Sequence, residues 1–372
     1  MTTNNNSLNG LYIGLMSGTS LDGIDCVVCD IQNNQIELKH SYFKKWPESI
    51  RAELQALING DDSLDLMLKT DQQCAAIYAD CCLQILRTNQ INKNEIIAIG
   101  SHGQTIRHNP NNLPGYSTQI GNPNRISEST GITTVADFRN RDIAAGGQGA
   151  PLAPAFHRAM FNHDEQNRII LNIGGIANIT LLSADKILGY DTGPGNRLLD
   201  DWIKHSQNKE RDDNGQFAAS GKVHPGMLST LLKDPYFDAA PPKSTGSDYF
   251  NLNWASTKYP ALSSLKPEDV QATFSELTAR SICNAIMNLD LTVREILVCG
   301  GGVHNANLMQ RLQNHCQNES VLSTAERGVD PDWIEAMAFA WLAHRTINNL
   351  SGNIPEVTGA IGERICGGIY PG

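Results

Sequence analysis

The stretch "LYIGLMSGTSLDGIDCVVCDI", residues 11–31, places two apolar runs on either side of a loop of glycine, serine, threonine and aspartate. The runs "LYIGLM" and "DCVVCDI" have the length and apolar character of buried strands. The pattern therefore predicts a strand hairpin that opens a sheet, with small hydroxylated residues in the loop between its strands.

Strand and helix patterns alternate through the rest of the first half. Apolar residues with helical spacing cover 48–58 and 71–88, whereas "EIIAIGSHGQTI" (95–106) and "GITTVADF" (131–138) begin as apolar strands. Each of these strands ends in polar residues, the first at a Gly-Ser-His-Gly turn and the second at "RNRDIAAGGQGAP". The alternation predicts an α/β architecture.

The same design restarts near the middle of the chain. "RIILNIGGIANITLLS" (168–183) is again a strand, a glycine turn and a strand, and "REILVCGGGVHNANLMQRL" (294–312) has the pattern of a strand, a triple glycine and a helix. Between them, a helical pattern covers 268–289. For a chain of 372 residues we therefore predict two similar α/β domains, an N-terminal one of residues 1–165 and a C-terminal one of residues 166–372.

The composition is that of a globular protein without a basic face. Apolar residues make up 40% of the chain and the formal net charge is −10, which disfavours nucleic acid and anionic membranes as partners. The polar N-terminus lacks a signal-peptide pattern, and no apolar run approaches the roughly 18 residues that a membrane helix needs. We expect a cytoplasmic protein with its nine cysteines reduced.

Three segments place glycines and small polar residues at strand ends, namely 14–25, 172–178 and 300–302. Glycine lets an anion approach the backbone N–H groups closely, so phosphate is a natural ligand for such segments. The alternative is that each is only a tight turn, because turns also use glycine for positive φ. "GQFAASGKV" (215–223) departs from P-loop spacing and no GxGxxG follows a strand, so a nucleotide site would be of another kind.

Several charged residues are candidates for chemistry, each with a structural alternative. Asp191 in "DTGPGN" either caps a local turn or acts as a general base. On an extended "DFRNRD" segment, Arg139 and Arg141 would face the same way, as solvated charges or as anion ligands. His102 is either a turn histidine or a site residue. Glu335 either complements the dipole at the start of a helix or acts in the site.

Seven strings in the chain resemble one family, the anhydro-N-acetylmuramic acid kinases, over essentially the whole length and in that family's order. The strings are "GLMSGTSLDGID", "GSHGQTIRH", "ADFRNRDIAAGGQGAPLAP", "LNIGGIANIT", "DTGPGN", "CGGGVHNANLM" and "EAMAFAWLA". The resemblance implies the sugar kinase, Hsp70 and actin superfold, which is ribonuclease H-like. It implies two α/β domains, each with a five-stranded sheet, that close on ATP around an interdomain catalytic cleft.

The resemblance also implies where ATP and magnesium bind. The first phosphate loop would lie at 14–21, the second at 172–178, and the strand-to-helix turn at 299–305 near the nucleoside. The implied nucleotide-binding residues are Gly14, Leu15, Met16, Ser17, Gly18, Thr19, Ser20, Leu21, Gly174, Gly175, Asn178, Gly300, Gly301 and Gly302. Mg²⁺ would bridge the phosphates, largely through water, with Asp22 and Asp25 as the nearby carboxylates.

In the reaction that the resemblance implies, water attacks the anomeric carbon of 1,6-anhydro-N-acetylmuramic acid while O6 takes the γ-phosphoryl group of ATP. The products are N-acetylmuramic acid 6-phosphate and ADP, in cell-wall recycling. Asp191 matches the general base that deprotonates the water. The implied sugar-binding residues are Ser17, His102, Gln104, Arg139 and Glu335.

Two other functions stay open on the residues alone. An ordinary sugar kinase of the same superfold would use the same base and phosphate loops on a free hydroxyl group, and only the family strings favour the anhydro sugar. A nucleotide-gated ATPase of the actin or Hsp70 kind would need an extended partner surface or an interdomain linker, and the sequence indicates neither. The oligomeric state is open, with a homodimer among the alternatives.

Overall fold

The structure is a computed structural model that describes residues 8–18, 20–33, 35–60, 63–163, 166–241, 243–289 and 291–372. The strands are β1 (Gly10–Met16), β2 (Gly23–Gln32), β3 (Gln35–Lys45), β4 (Ile96–Ser101), β5 (Gln104–Asn109), β6 (Tyr116–Ile120), β7 (Thr134–Ala136), β8 (Arg168–Ile173), β9 (Ile176–Leu182), β10 (Ile187–Pro194), β11 (Glu295–Cys299), β12 (Ser320–Ser323) and β13 (Gly368–Tyr370). The α-helices are α1 (Glu48–Ile58), α2 (Leu64–Thr88), α3 (Pro123–Thr130), α4 (Asn140–Ala144), α5 (Ala153–Phe161), α6 (Arg197–Gln207), α7 (Gln216–Ser220), α8 (Pro225–Leu231), α9 (Pro235–Asp238), α10 (Leu252–Lys258), α11 (Pro267–Met287), α12 (Ala306–His315), α13 (Ile334–Ile347) and α14 (Pro355–Thr358). None of the helices in these ranges combines the length and the apolar character needed to cross a membrane.

The chain divides into two compact units, a first unit of residues 1–160 and 333–372 and a second unit of residues 161–332. In the first unit the strand order is β13-β7-β4-β1-β2-β3, and in the second it is β10-β9-β8-β11-β12. Each sheet contains an antiparallel meander of three strands followed by two parallel strands, β4 and β7 or β11 and β12. The repeated strand order confirms the prediction of two similar α/β domains.

The C-terminal boundary of the predicted domains is wrong, because residues 333–372 belong to the first unit. Helix α13 packs across β1 and β4, where two glycines that pair in register let it approach. A Cβ atom at Gly14 would lie 1.9 Å from the Ala336 carbonyl oxygen, and one at Gly100 would lie 2.0 Å from that of Phe339. Strand β13 then extends the predicted five-stranded sheet to six strands.

Both sheets are fixed by apolar cores. In the first unit, side chains of β1, β2 and β4 pack with α1 and α2, and Ile13 and Leu15 of β1 are fully buried there. In the second unit, β8, β9 and β11 pack with α11 and α12, with Ile169 and Leu171 fully buried. The predicted helices at 48–58 and 268–289 are confirmed, and the one predicted from residue 71 already begins at Leu64.

The expectation that all nine cysteines are reduced is wrong for one pair. Cys283 of α11 and Cys316 at the end of α12 form a disulfide, because the packing of these helices brings their Cα atoms to 6.1 Å. The remaining seven cysteines are buried and belong to no disulfide.

Candidate active site

The loop after β1 carries the accessible part of the first predicted phosphate loop. The main chain turns there, because Leu21 donates its N–H to the Gly18 carbonyl at 3.3 Å, while the Leu21 side chain is buried. Among the described residues, a Cβ atom at Gly18 would meet only Ser20 Oγ, 3.8 Å away, so no described side chain covers the backbone there. Thr19 lies outside the described residues.

Gly14, Leu15 and Met16 are residues of β1 rather than of the loop. The side chains of Leu15 and Met16 are buried, and the absence of a side chain at Gly14 is required by the close approach of α13. The packing of α13 therefore accounts for the glycine at position 14, with no need for a ligand at its main chain.

Ser17 and Gln104 form a buried polar pair beneath this loop. Ser17 Oγ donates to Gln104 Oε1 at 2.5 Å and accepts a hydrogen bond from Trp46 Nε1 at 3.1 Å. Both polar residues are almost completely buried, at 1% and 0% exposure. Trp46 had no signal in the sequence, because a tryptophan after a polar strand indicates only a core residue.

His102 and Arg139 are in direct contact. The guanidinium lies 2.9 Å (Nη2) and 3.3 Å (Nε) from His102 Nε2, and Nη1 donates to the Gly149 carbonyl at 2.9 Å. Because a guanidinium only donates, Nε2 accepts and the imidazole proton is assigned to Nδ1. Nδ1 forms no well-aligned hydrogen bond within the described ranges, although main-chain groups of Gly103 and Ser17 interact with the ring and raise its pKa.

Burial determines the charge states of His102 and Arg139. Burial and the nearby guanidinium hold the pKa of His102 well below its usual value, so the ring is neutral. Burial lowers the pKa of Arg139 to about 10, and the carboxylate of Glu335 acts in the opposite direction. Arg139 is therefore still a cation at neutral pH. Glu335 is the second residue of α13 with an exposed side chain, which confirms its predicted place in a first helical turn.

The expectation that Arg139 and Arg141 face the same way is wrong. The segment is helical rather than extended: Arg139 precedes α4 with helical angles, and Arg141 lies within the helix. Residues two apart on a helix point in different directions, so Arg139 turns inward while Arg141 is exposed.

Asp142 explains the apolar, glycine-rich stretch that follows, and sequence reasoning missed it. Its fully buried carboxylate accepts hydrogen bonds from Gly149 N–H, Asn353 Nδ2 and Thr358 Oγ1. A Cβ atom at Gly147 would lie 2.2 Å from this carboxylate. Two of the partners are more than 200 positions away, at separations of 211 and 216, so no local pattern could reveal them.

The glycine segments of the second unit meet at the end of β8. Gly174 and Gly175 form the turn to β9, and their carbonyls accept the main-chain N–H groups of residues 195–197. A Cβ atom at Gly302 would lie 2.4 Å from Ile173, and one at Gly300 would lie 2.3 Å from Asn172 Oδ1. Gly301 has more room, since among the residues that the structure describes its Cβ atom would meet only Asn196 Nδ2, at 3.8 Å. The structure therefore brings the two predicted segments of this unit together.

A row of polar side chains crosses the three neighbouring strands of this sheet. Asp191 on β10 pairs with Asn178 on β9, which pairs with Asn172 on β8. Directly paired residues project to the same face of a sheet, so the three side chains lie side by side. Asn172 was missed, although an asparagine inside the buried run "RIILNI" is a signal for a polar site. Asp191 lies within β10, beside a bulge, rather than after a strand.

Asp191 has a partly desolvated carboxylate held by a segment distant in sequence. Oδ2 accepts the N–H of Thr245 at 2.9 Å, 54 positions away, so the carboxylate is not a local turn cap. The main chain of Asp191 also bonds to Lys243 O and to the hydroxyl of Tyr236. Burial raises the pKa of Asp191 to about 6, partly offset by the Thr245 N–H. This carboxylate is ionised at neutral pH yet more basic than an ordinary aspartate.

The two carboxylates predicted for magnesium lie in the first unit. Asp22 is exposed in the loop, and Asp25 is half-buried in β2. Within the described ranges, no group of three or more His, Cys, Asp or Glu side chains could enclose a metal ion. A protein cage for a metal is therefore not a feature of these ranges.

The sequence is similar to that of one family along almost its whole length. The profile of the anhydro-N-acetylmuramic acid kinases matches residues 10–372. A protein of this name from Pseudomonas fluorescens (strain Pf0-1) is 48% identical over 363 residues, 97% of this chain and 99% of the relative. Similar proteins of the same name come from Pasteurella multocida (strain Pm70), 47% identical over 97% of this chain and 96% of the relative, and from Coxiella burnetii (strain Dugway 5J108-111), 47% identical over 97% of each.

Proposed function

Because the chain belongs to the anhydro-N-acetylmuramic acid kinase family, we propose that it opens the 1,6-anhydro bridge of 1,6-anhydro-N-acetylmuramic acid and phosphorylates O6. The donor is ATP, and the products are N-acetylmuramic acid 6-phosphate and ADP. Such a reaction returns an amino sugar from the cell wall to metabolism, in the cytoplasm. The observation that carries the chemistry is the partly desolvated carboxylate of Asp191, with its pKa of about 6.

Asp191 acts as the general base. Water is a poor nucleophile at neutral pH, and a carboxylate that takes its proton makes attack on C1 easier. The bond from the water oxygen to C1 forms as the C1–O6 bond breaks, and O6 then bonds to the γ-phosphorus as ADP leaves. Thr245 N–H fixes one carboxylate oxygen, which leaves the other to accept the proton.

The first unit supplies the sugar-binding residues in this proposal. Arg139, a cation at neutral pH, pairs with the lactyl carboxylate of the sugar, because a guanidinium matches a carboxylate with two parallel hydrogen bonds. His102 and Gln104 hold Arg139 and Ser17 in place through the contacts described above. Glu335 accepts a sugar hydroxyl or amide hydrogen.

ATP phosphates bind the open main chain at Gly18 and Ser20 and the glycine turns at 174–178, with the nucleoside near 300–302. Mg²⁺ fits this site in a limited way: Asp22 and Asp25 offer carboxylates without a cage, and Mg²⁺ keeps several waters and takes phosphate oxygens readily. When bound, the ion neutralises charge on the phosphates. The homodimer stays a prediction.

The acid limb of the rate profile tests the base. Because burial raises the pKa of Asp191 to about 6, and the base acts ionised, kcat/KM is expected to fall below that pH, about tenfold per unit. An ordinary aspartate would keep the rate constant down to about pH 4. His102 does not interfere, since its pKa lies well below its usual value. A profile that stays flat down to about pH 5 would contradict the assignment.

Replacing Arg139 by alanine is expected to raise KM for the anhydro sugar about tenfold or more, with a smaller effect on KM for ATP. The variant loses the cation that pairs with the sugar carboxylate. Arg141→Ala is the matched control, because this arginine is exposed two positions away. Initial rates with each substrate varied in turn give both constants. Unchanged KM values for both substrates would contradict the assignment. A change in KM for ATP alone would indicate that Arg139 binds the phosphates instead.

The release of ADP with different acceptors tests the proposed function as a whole. ADP formation should require the anhydro sugar and should not occur at a comparable rate with free N-acetylmuramic acid or N-acetylglucosamine. Phosphorylation of the free sugars alone would favour the ordinary sugar kinase. Steady ADP release without any sugar would favour the nucleotide-gated ATPase.

A further inference from the structure

The carboxylate of Asp191 depends on a short segment, residues 243–245, that lies along the edge strand β10. Asp191 donates its N–H to Lys243 O at 3.2 Å, and Thr245 donates its N–H to Asp191 Oδ2 at 2.9 Å. Within the described ranges this is the one hydrogen bond to the carboxylate. Segment 243–245 therefore sets the orientation of the carboxylate, and whatever fixes the segment fixes the base.

The side chain of Lys243 ties this segment to α9. Its ammonium donates to the carbonyls of Tyr236 at 3.0 Å and Phe237 at 3.2 Å. It also lies 4.8 Å from the centroid of the Tyr236 ring and 5.9 Å from that of Tyr190, within range of cation–π attraction. Lys243 is half-buried, so these contacts are only partly screened by water.

Tyr236 provides a second connection between Lys243 and Asp191. The Lys243 ammonium contacts both the carbonyl and the ring of Tyr236. The Tyr236 hydroxyl in turn donates a hydrogen bond to the main-chain oxygen of Asp191 at 2.8 Å. Lys243 thus acts on Asp191 from two sides, through its own carbonyl and through the Tyr236 ring. Both connections end on the main chain of Asp191, and Thr245 binds the carboxylate of the same residue.

We propose that Lys243 is a positioning residue for the general base: it holds segment 243–245 against β10 so that Thr245 stays on Oδ2 and the second oxygen faces the attacking water. The inference rests on the proposed role of Asp191. In this role Lys243 acts on the carboxylate through segment 243–245 and through Tyr236. An uncharged side chain of similar length fills the same space but cannot bind two carbonyls.

Loss of the Lys243 ammonium is expected to raise the pKa of the Asp191 carboxylate. When segment 243–245 loosens, the carboxylate loses the N–H of Thr245, the hydrogen bond that lowers its pKa. The acid limb of kcat/KM then moves to higher pH. On β10 and α9, burial raises the pKa values of Tyr190 and Tyr236, and Asp238 faces the ammonium. Helix α11, which also packs against β10, carries Glu268, Asp269, Glu276 and Arg280. The tyrosines stay neutral across the acid limb.

The test compares Lys243→Met, Lys243→Arg and Lys233→Met. The last removes an exposed lysine on the same unit and is expected to behave like the wild type. Lys243→Met is expected to lower kcat about 10-fold to 100-fold, with KM for both substrates little changed, and to shift the acid limb to higher pH. Lys243→Arg, which keeps charge and donors, is expected to recover most of the rate.

A ¹³C NMR titration of the Asp191 carboxyl carbon, assigned with Asp191→Asn, measures the same pKa shift without turnover. Wild-type kcat and an unmoved acid limb in Lys243→Met would overturn the positioning role, as would an unmoved NMR titration. A wild-type enzyme that does not turn over the anhydro sugar contradicts the proposed function instead, and the NMR titration still decides the role of Lys243.

Discussion

Asp191→Asn is expected to lower kcat by about 10² to 10⁴ while leaving the fold and ATP binding intact. The amide has the same shape, and its oxygen still accepts the N–H of Thr245, but it cannot take a proton from water. Steady-state rates with the anhydro sugar measure the loss. A thermal melt and calorimetric titration with ATP show whether the fold and the nucleotide site survive.

Asp185→Asn is the control for this change, because it removes an exposed carboxylate from the turn between β9 and β10 in the same unit. We expect it to retain the wild-type rate. If Asp191→Asn stays within about threefold of the wild type, Asp191 is not the base.

Gly14→Ala is expected to destabilise the first unit by about 1–3 kcal/mol or more. The added Cβ atom would lie 1.9 Å from the Ala336 carbonyl oxygen and 2.9 Å from Ala340 N. Both are main-chain atoms of α13, which cannot turn aside as a flexible side chain can. The helix must therefore move off the sheet, and the apparent Tm of the first unit should fall by several degrees.

Gly18→Ala is the comparison variant, because Gly18 lies in the same sequence motif as Gly14 but is expected to affect ATP binding rather than packing. In the described part of the chain, a Cβ atom there meets nothing closer than Ser20 Oγ at 3.8 Å, so this variant should melt like the wild type. Its expected defect is a higher KM for ATP, because the methyl group obstructs the open main chain. A Gly14→Ala protein that melts with the wild type would contradict the close packing of α13 on β1.

Local patterns were enough to predict the parts of the fold that form between neighbours in sequence. The hairpins β1–β2 and β8–β9 are such parts, since a strand, a glycine turn and a strand carry their own pattern. The position of α13 is not, because its apolar face alone does not tell which sheet it covers. Only the glycines beneath it, Gly14 and Gly100, contain that information, and they were interpreted as turn or ligand residues.

The candidate site shows the same division. The sequence indicated Asp191, Arg139 and His102 through their strings, but it could not indicate what holds them. Thr245 lies 54 positions from Asp191, and Arg139 binds a histidine 37 positions away. Such hydrogen bonds depend on tertiary packing, so the pKa of Asp191, set by burial, was beyond sequence reasoning as well.

Turnover in H₂¹⁸O tests most directly the claim that water opens the anhydro bridge as O6 is phosphorylated. The substrate has no free 6-hydroxyl group, so O6 must leave C1, and the oxygen that replaces it comes from water. Product is sampled early, and unlabelled product kept in H₂¹⁸O without enzyme measures exchange at the anomeric carbon. If water opens the bridge, one ¹⁸O atom is expected on the anomeric hydroxyl of N-acetylmuramic acid 6-phosphate and none in its phosphate. Label in phosphate, or product whose anomeric oxygen carries no more ¹⁸O than the exchange control, would contradict that claim.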